Sequence, residues 1–178
     1  MTRTYHYFAY GSNLLPQRLA ARVTITADLG RHVLPGHRLR FHKRGRDGSG
    51  KGDLVTTHDA ADCVHGAIYR LDATAMEQLH RIEGVGAGYQ VTEVTPPGAP
   101  VCLCYVAEPS AIDPALQPFD WYLALILEGA RQRGCPAEYL AWLASVPTIH
   151  DSDTERAAMG YRLLGDAAHS LGPPKGCA

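Results

Sequence analysis

Near the start of the chain, residues 7–14 read Tyr7-Phe-Ala-Tyr-Gly-Ser-Asn-Leu14. An aromatic-rich run suited to a strand stops abruptly on residues with small or short side chains. Pro16-Gln-Arg-Leu-Ala-Ala-Arg22 follows as a short helix, with proline tolerated in its first turn. A strand that feeds through a glycine turn into a helix leaves several backbone N–H groups pointing the same way. That arrangement favours an anion or a developing oxyanion. Small side chains at Gly11, Ser12 and Asn13 keep those amides accessible. The same succession also serves as an ordinary strand-to-helix turn, so alone it does not define a site.

Outward from this point, strands are expected at Tyr5 to Tyr10, His37 to Lys43, Asp53 to Thr57, Val64 to Leu71, Tyr89 to Val94 and Val101 to Val106. Asp72 is placed to cap a helix that ends just before or at Glu83, with Gly84 as its stop. Two further helices are expected, one from Asp120 to Arg133 closed by Gly134 and one from Pro136 to Pro147. Strands dominate the first half and helices the second, without the alternation of a doubly wound parallel sheet. The expected fold class is α+β, a small mixed curved sheet or β-barrel flanked by helices, with a mouth where loops converge. One domain over residues 1–178 is expected, with a loose C-terminal tail from about residue 167.

Composition narrows the function. A net charge of -1 gives no reason to expect nucleic acid or an anionic membrane as partner. No apolar run approaches the roughly 20 residues of a membrane span, and the first residues lack the apolar segment of a signal peptide, so a cytoplasmic location is expected. Five cysteines without repeating spacing argue against a disulfide framework. Cys102 and Cys104 share a strand face but lack a second ligand pair, and His80 lacks a metal-binding partner, so no metal is expected.

Two glycine-rich stretches imitate nucleotide motifs. Gly45-Arg-Asp-Gly-Ser-Gly-Lys51-Gly52 nearly matches a phosphate-binding loop, but Gly52 stands where a hydroxyl should bind magnesium and no helix follows. A mobile polar hairpin is expected instead. Gly84-Val-Gly86-Ala-Gly88 follows a helix and has the wrong spacing for a dinucleotide fingerprint. Ser12 is not in a G-x-S-x-G elbow and has no marked base. What remains is the Tyr10-Gly-Ser-Asn13 turn and Glu83. A carboxylate at a helix C-terminus, where the macrodipole disfavours negative charge, is suited to proton exchange if it is also buried. It also reads as an exposed glutamate in a surface turn.

With Tyr10-Gly-Ser-Asn-Leu14 upstream and Glu83-Gly-Val85 downstream, the chain resembles the γ-glutamylcyclotransferase family. The Val64-His-Gly-Ala-Ile-Tyr69 strand, the Tyr122-Leu-Ala-Leu-Ile-Leu-Glu-Gly-Ala130 segment and Gly134-Cys-Pro-Ala-Glu-Tyr139 extend the likeness over roughly residues 5 to 145. Cys135 stands where that family often has leucine. The resemblance implies a small mixed barrel with helices around it, no cofactor, and conversion of a γ-glutamyl amine or γ-glutamyl amino acid to 5-oxoproline with release of the free amine. It implies Glu83 as the acid/base, Tyr10, Gly11, Ser12, Asn13 and Leu14 as the substrate-binding loop, and Tyr89, Tyr105 and Tyr122 as pocket tyrosines. The basic segment Arg38 to Lys51 is a candidate pocket rim, and equally a solvated face. The partner implied is a small-molecule γ-glutamyl substrate; oligomeric state is not legible. The alternative is a non-catalytic small-molecule binding protein on the same fold.

Overall fold

The computed structural model describes residues 3–170. Its central strand is β1, Thr4–Ala9, which ends in a single 3-10 turn over Ser12–Leu14 and then α1, Pro16–Ala20. β2 (Ala27–Pro35), the hairpin of β3 (His37–Arg44) and β4 (Gly50–Thr56), and β5 (Cys63–Asp72) follow. Then come α2 (Ala73–Glu83), β6 (Tyr89–Val94), β7 (Cys102–Ala107), α3 (Asp120–Gln132), α4 (Ala137–Ala144) and α5 (Thr154–Ser170).

Five strands form one mixed sheet in the order β2-β5-β1-β7-β6, with β1 antiparallel to β5 and parallel to β7. β5 is buried along Val64–Tyr69, as expected of a strand covered on both faces. Its Gly66 exists for close approach, since a Cβ there would lie 2.4 Å from the Phe8 ring on β1. The sheet is open, with β2 and β6 as edges, so the closed alternative to a curved sheet is not formed. The reason lies in the hairpin. β3 and β4 ladder only with each other. They reach β7 through a side chain, the Asp53 carboxylate accepting the Ala107 N–H at 2.7 Å, where a barrel would need a strand-to-strand ladder.

Helix α2 begins as expected at Asp72, whose Oδ1 accepts the Ala75 N–H at 2.8 Å. It stops at Gly84, whose φ of 76° continues the chain in the left-handed region that glycine adopts without strain. α3 packs its backbone against the loop after β1. A Cβ on Gly129 would lie 2.6 Å from the Leu15 nitrogen, so no larger residue lets the helix come so near. At its end Arg133 donates to the Tyr69 hydroxyl at 2.6 Å, and Tyr69 in turn donates to the Leu14 carbonyl at 3.3 Å. The loop that follows β1 is thus fixed by α3 on one side and β5 on the other.

Two elements escape the sequence reading. β2 carries Gly30 with φ 82° and a register shift between Asp28 and Arg31, so it lacks the alternation that marks a strand. α5 is interrupted by glycine, yet Gly160 lies where a Cβ would be 2.5 Å from the Trp121 ring, and Asp153 caps it by accepting the Arg156 N–H at 3.0 Å. α5 continues through 167–170, while the rest of the expected loose tail, 171–178, lies outside the described residues, as does Cys177. Cys63, Cys102, Cys104 and Cys135 are free thiols, all but Cys63 buried. Among the described residues no helix is long and apolar enough to cross a membrane.

Candidate active site

β1, the turn after it, the end of α2, β6, β7 and the start of α3 converge on one cavity. Its inner chamber, about 30 Å³, is lined by Gly11, Ser12, Asn13, Gly52 and Glu83 and by five tyrosines. The tyrosines are Tyr7, Tyr10, Tyr89, Tyr105 and Tyr122. The chamber opens past Ser12, Glu83, Tyr89 and Tyr122 into a vestibule of about 400 Å³. Of the residues expected at the site, only Leu14 is absent from this lining. Its side chain is wholly buried in the core, and it serves the turn through its backbone.

Glu83 is the chamber's carboxylate. Its Oε1 accepts the Asn13 Nδ2–H and the Arg22 Nη1–H, both at 2.8 Å, and Arg22 donates again to Asn13 Oδ1 at 3.0 Å. Asn13 Nδ2 also donates to the Tyr7 hydroxyl at 3.0 Å. Residues 61 and 70 positions apart thereby hold Glu83 in one orientation. Its Oε2 accepts no hydrogen bond from any described residue, and the side chain keeps 18% of its surface open. A carboxylate so placed has one oxygen committed and one free for a ligand.

The tyrosines are ordered by backbone groups. The Tyr122 hydroxyl accepts the Gly52 N–H at 3.1 Å, and the Tyr89 hydroxyl donates to the Gly52 carbonyl at 2.5 Å. Tyr10 donates to the Tyr105 carbonyl, and the Tyr105 hydroxyl pairs with His80 Nδ1 at 3.0 Å. Burial pushes all five phenols above their ordinary range, and the charge of Glu83 pushes Tyr7, Tyr89, Tyr105 and Tyr122 further the same way. They stay protonated at physiological pH, which suits them to hydrogen bonding and not to proton exchange. His80 is lowered by burial and stays neutral there.

In the turn, the Leu14 N–H is donated to the Gly11 carbonyl at 2.9 Å, closing the 3-10 turn. The leading amides of such a turn, those of Ser12 and Asn13, have no acceptor within it and are the ones open to a ligand. Gly11 has φ of -96°, so its conformation does not demand glycine. What its small size leaves open is the approach to Tyr122, whose hydroxyl would be 3.5 Å from a Cβ there.

Sequence reasoning missed Tyr7, Arg22 and Gly52. Nothing in the sequence pairs Arg22 with a carboxylate 61 positions on. Gly52 was legible only as a broken phosphate loop, and its role is to give both backbone groups to pocket tyrosines. Within the polar hairpin expected over Gly45 to Gly52, Gly45, Ser49 and Gly50 are buried. Lys51 binds Asp47 at 2.7 Å and lies 4.6 Å from the centre of the Tyr122 ring. Among the described residues no group of three or more His, Cys, Asp or Glu side chains is placed to hold a metal ion.

Fold and cavity together define an open-sheet α+β protein with one carboxylate in a tyrosine-lined pocket. A solved structure described as gamma-glutamyl cyclotransferase shares this fold with a TM-score of 0.78 at 23% identity, covering 90% of this chain and 99% of that one. An uncharacterized protein from Homo sapiens superposes with a TM-score of 0.70 at 24% identity, covering 86% and 96%. Residues 63–143 match the model of the AIG2-like family. The gamma-glutamylcyclotransferase of Homo sapiens is 30% identical over 148 residues, 79% of this chain and 77% of that protein. That of Mus musculus is 30% identical over 151 residues, 80% and 79%. The chain belongs to the γ-glutamylcyclotransferase family.

Proposed function

We propose that the protein cyclises a γ-glutamyl amine or γ-glutamyl amino acid to 5-oxoproline and releases the free amine, with Glu83 as the sole acid/base. The observation that carries this reading is the one-sided grip on Glu83, with Oε1 held by Asn13 and Arg22 and Oε2 accepting no hydrogen bond from any described residue, on a side chain that lines the chamber.

The substrate brings its own nucleophile. Glu83 Oε2 takes a proton from the α-amino group, whose nitrogen attacks the γ-carbonyl carbon and forms the ring C–N bond. The carbonyl oxygen gains negative charge, and the Ser12 and Asn13 amides stand at the head of the turn to receive it or the α-carboxylate. Glu83 then returns its proton to the leaving nitrogen as the old C–N bond breaks. No protein nucleophile takes part. Holding amine and carbonyl in a cyclising geometry supplies roughly 7–11 kcal/mol at best.

The test is the product formed from a panel of γ-glutamyl amino acids and γ-glutamyl amines in water enriched in oxygen-18. Cyclisation gives 5-oxoproline without the label. Glutamate labelled in its γ-carboxylate would mean hydrolysis, and no product from a folded protein that still binds the panel would leave the non-catalytic binding protein.

A further inference from the structure

The vestibule outside Glu83 is lined by an excess of cations. Arg18, Arg22, Lys43, Arg46, Lys51 and Arg156 face it, against the carboxylates of Asp47 and Glu83. Three of the cations are engaged: Arg22 by Glu83, Lys51 by Asp47, and Arg156 by Asp151 and Asp153. The other three have no hydrogen-bond or ion-pair partner among the described residues. The Arg18 Nε is buried without an acceptor. Lys43 is only 5% exposed, with its ammonium 4.3 Å from the centre of the Tyr89 ring. Arg46 stands exposed at the rim, near Gly84.

An unpaired charge withdrawn from water is costly, and a stabilising partner normally accompanies it. Burial lowers Arg18 to about 10, with Arg22 adding to the effect, and burial lowers Lys43 against the opposing charge of Glu83, yet Arg18 keeps its charge at neutral pH. Tyr89 ties these cations to the chemistry. Its ring lies under Lys43, and the same side chain lines the inner chamber beside Glu83. With the γ-glutamyl group in the chamber, the amine it releases lies on the vestibule side, where Arg18, Lys43 and Arg46 stand.

Resting on the cyclisation reading above, we infer that the leaving amine carries at least two anionic oxygen groups, as in an acidic amino acid, and that Arg18, Lys43 and Arg46 select it. A lone α-carboxylate brings one negative charge to three cations and leaves the excess uncompensated. A conjugate with no charge on the amine side gains nothing from them, and a cationic amine is repelled. Carboxylate and phosphate share the chemistry these three groups recognise.

The experiment is calorimetric titration of Glu83→Gln, which lacks the proton shuttle, with γ-glutamyl-L-glutamate, γ-glutamyl-O-phospho-L-serine, γ-glutamyl-L-alanine, γ-glutamylethylamide and γ-glutamyl-L-lysine linked through the α-amine. The glutamate or phosphoserine conjugate should bind roughly tenfold or more tightly than the alanine conjugate at low salt. The tighter of the two names the anionic group. Salt should narrow the gap. Adding Lys43→Gln should bring the ratio to about twofold or less. Arg46→Gln, at an exposed position, should narrow it too, and it serves where Lys43→Gln does not fold. Equal affinity for the glutamate, phosphoserine and alanine conjugates, or preference for the lysine conjugate, overturns the inference. Turnover by the unsubstituted protein is scored separately, so failure to cyclise is distinguishable from failure to select.

Discussion

Glu83 and Asp151 are each gripped by an arginine and a neutral nitrogen donor, and the difference between the two grips separates site from scaffold. Asp151 is wholly buried and uses both oxygens. Oδ2 accepts the Trp121 indole N–H at 2.8 Å and the Arg156 Nε–H at 2.7 Å, while Oδ1 accepts from Arg156 Nη2 and from the Asp153 N–H at 3.0 Å. These bonds, those from Arg156 foremost, hold its carboxyl well below the usual carboxylate range. It pins α3 to the segment that starts α5. Glu83 receives both its donors on one oxygen and leaves the other without a hydrogen bond from any described residue. Saturated hydrogen bonding favours rigidity, whereas a group meant to act on a ligand must be left with capacity.

Asp151→Ala leaves the Trp121 N–H and the Arg156 guanidinium without their acceptor. Loss of about 2–3 kcal/mol of folding stability is expected from the orphaned buried donor and the broken charged bonds. Thermal unfolding reads this as a drop in Tm, while kcat of the protein still folded should stay unchanged. A Tm equal to that of the parent would mean that Asp151 and Glu83 do not differ in the way described.

Gly129→Ala acts where scaffold and site meet. Its methyl would press on the Leu15 nitrogen at 2.6 Å, so α3 or the turn carrying Ser12 and Asn13 must shift. Overpacking of this kind costs about 1–2 kcal/mol. Because the turn moves with it, kcat/KM for 5-oxoproline release should fall together with Tm, unlike the effect at Asp151. Unfolding at unchanged kcat/KM would show that the turn is positioned by something other than α3.

The smallest effect is in pH, where the two regions titrate in different windows. His80 at the site and His65 on β5 are lowered by burial, so the folded chain resists a proton that the unfolded chain binds near pH 6.5. The unfolded state then binds more protons, and stability should fall as pH drops below about 6.5. Asp151 is depressed as well, but as a carboxyl. Its contribution is complete above about pH 3.9 and is lost as pH falls from there toward the folded value. Urea unfolding across pH should show two acid steps, and Asp151→Asn should remove much of the lower one. A single step shared by both proteins would contradict this assignment.

How much of this was legible in the sequence follows from the range of each interaction. Asp72 and Gly84 bracket α2 by local chemistry, and the apolar run of β5 announces a buried strand, so both were readable. The Tyr10-Gly-Ser-Asn13 turn and Glu83 were readable as candidates from the strand, turn and helix ends that carry them. β2 was not, because a glycine and a register shift erase its alternation. α5 was not legible either, because the fit of Gly160 against the Trp121 ring is a contact between distant segments. Arg22, Tyr7 and Gly52 enter the site through contacts between distant segments, and no periodicity or cap records those. The openness of the sheet was illegible for the same reason, since it depends on Asp53 meeting the end of β7.

Glu83→Gln tests the central claim most directly, with 5-oxoproline release and thermal unfolding measured on the same preparation. Glutamine keeps the size of the side chain and one oxygen for Asn13 and Arg22, and it cannot carry the proton. A fall in kcat of about a thousandfold is expected, within the range that general acid–base catalysis supplies, with Tm within a few degrees of the parent. Turnover at the parental rate in the folded variant would contradict it, and the proton would then have to travel by another group.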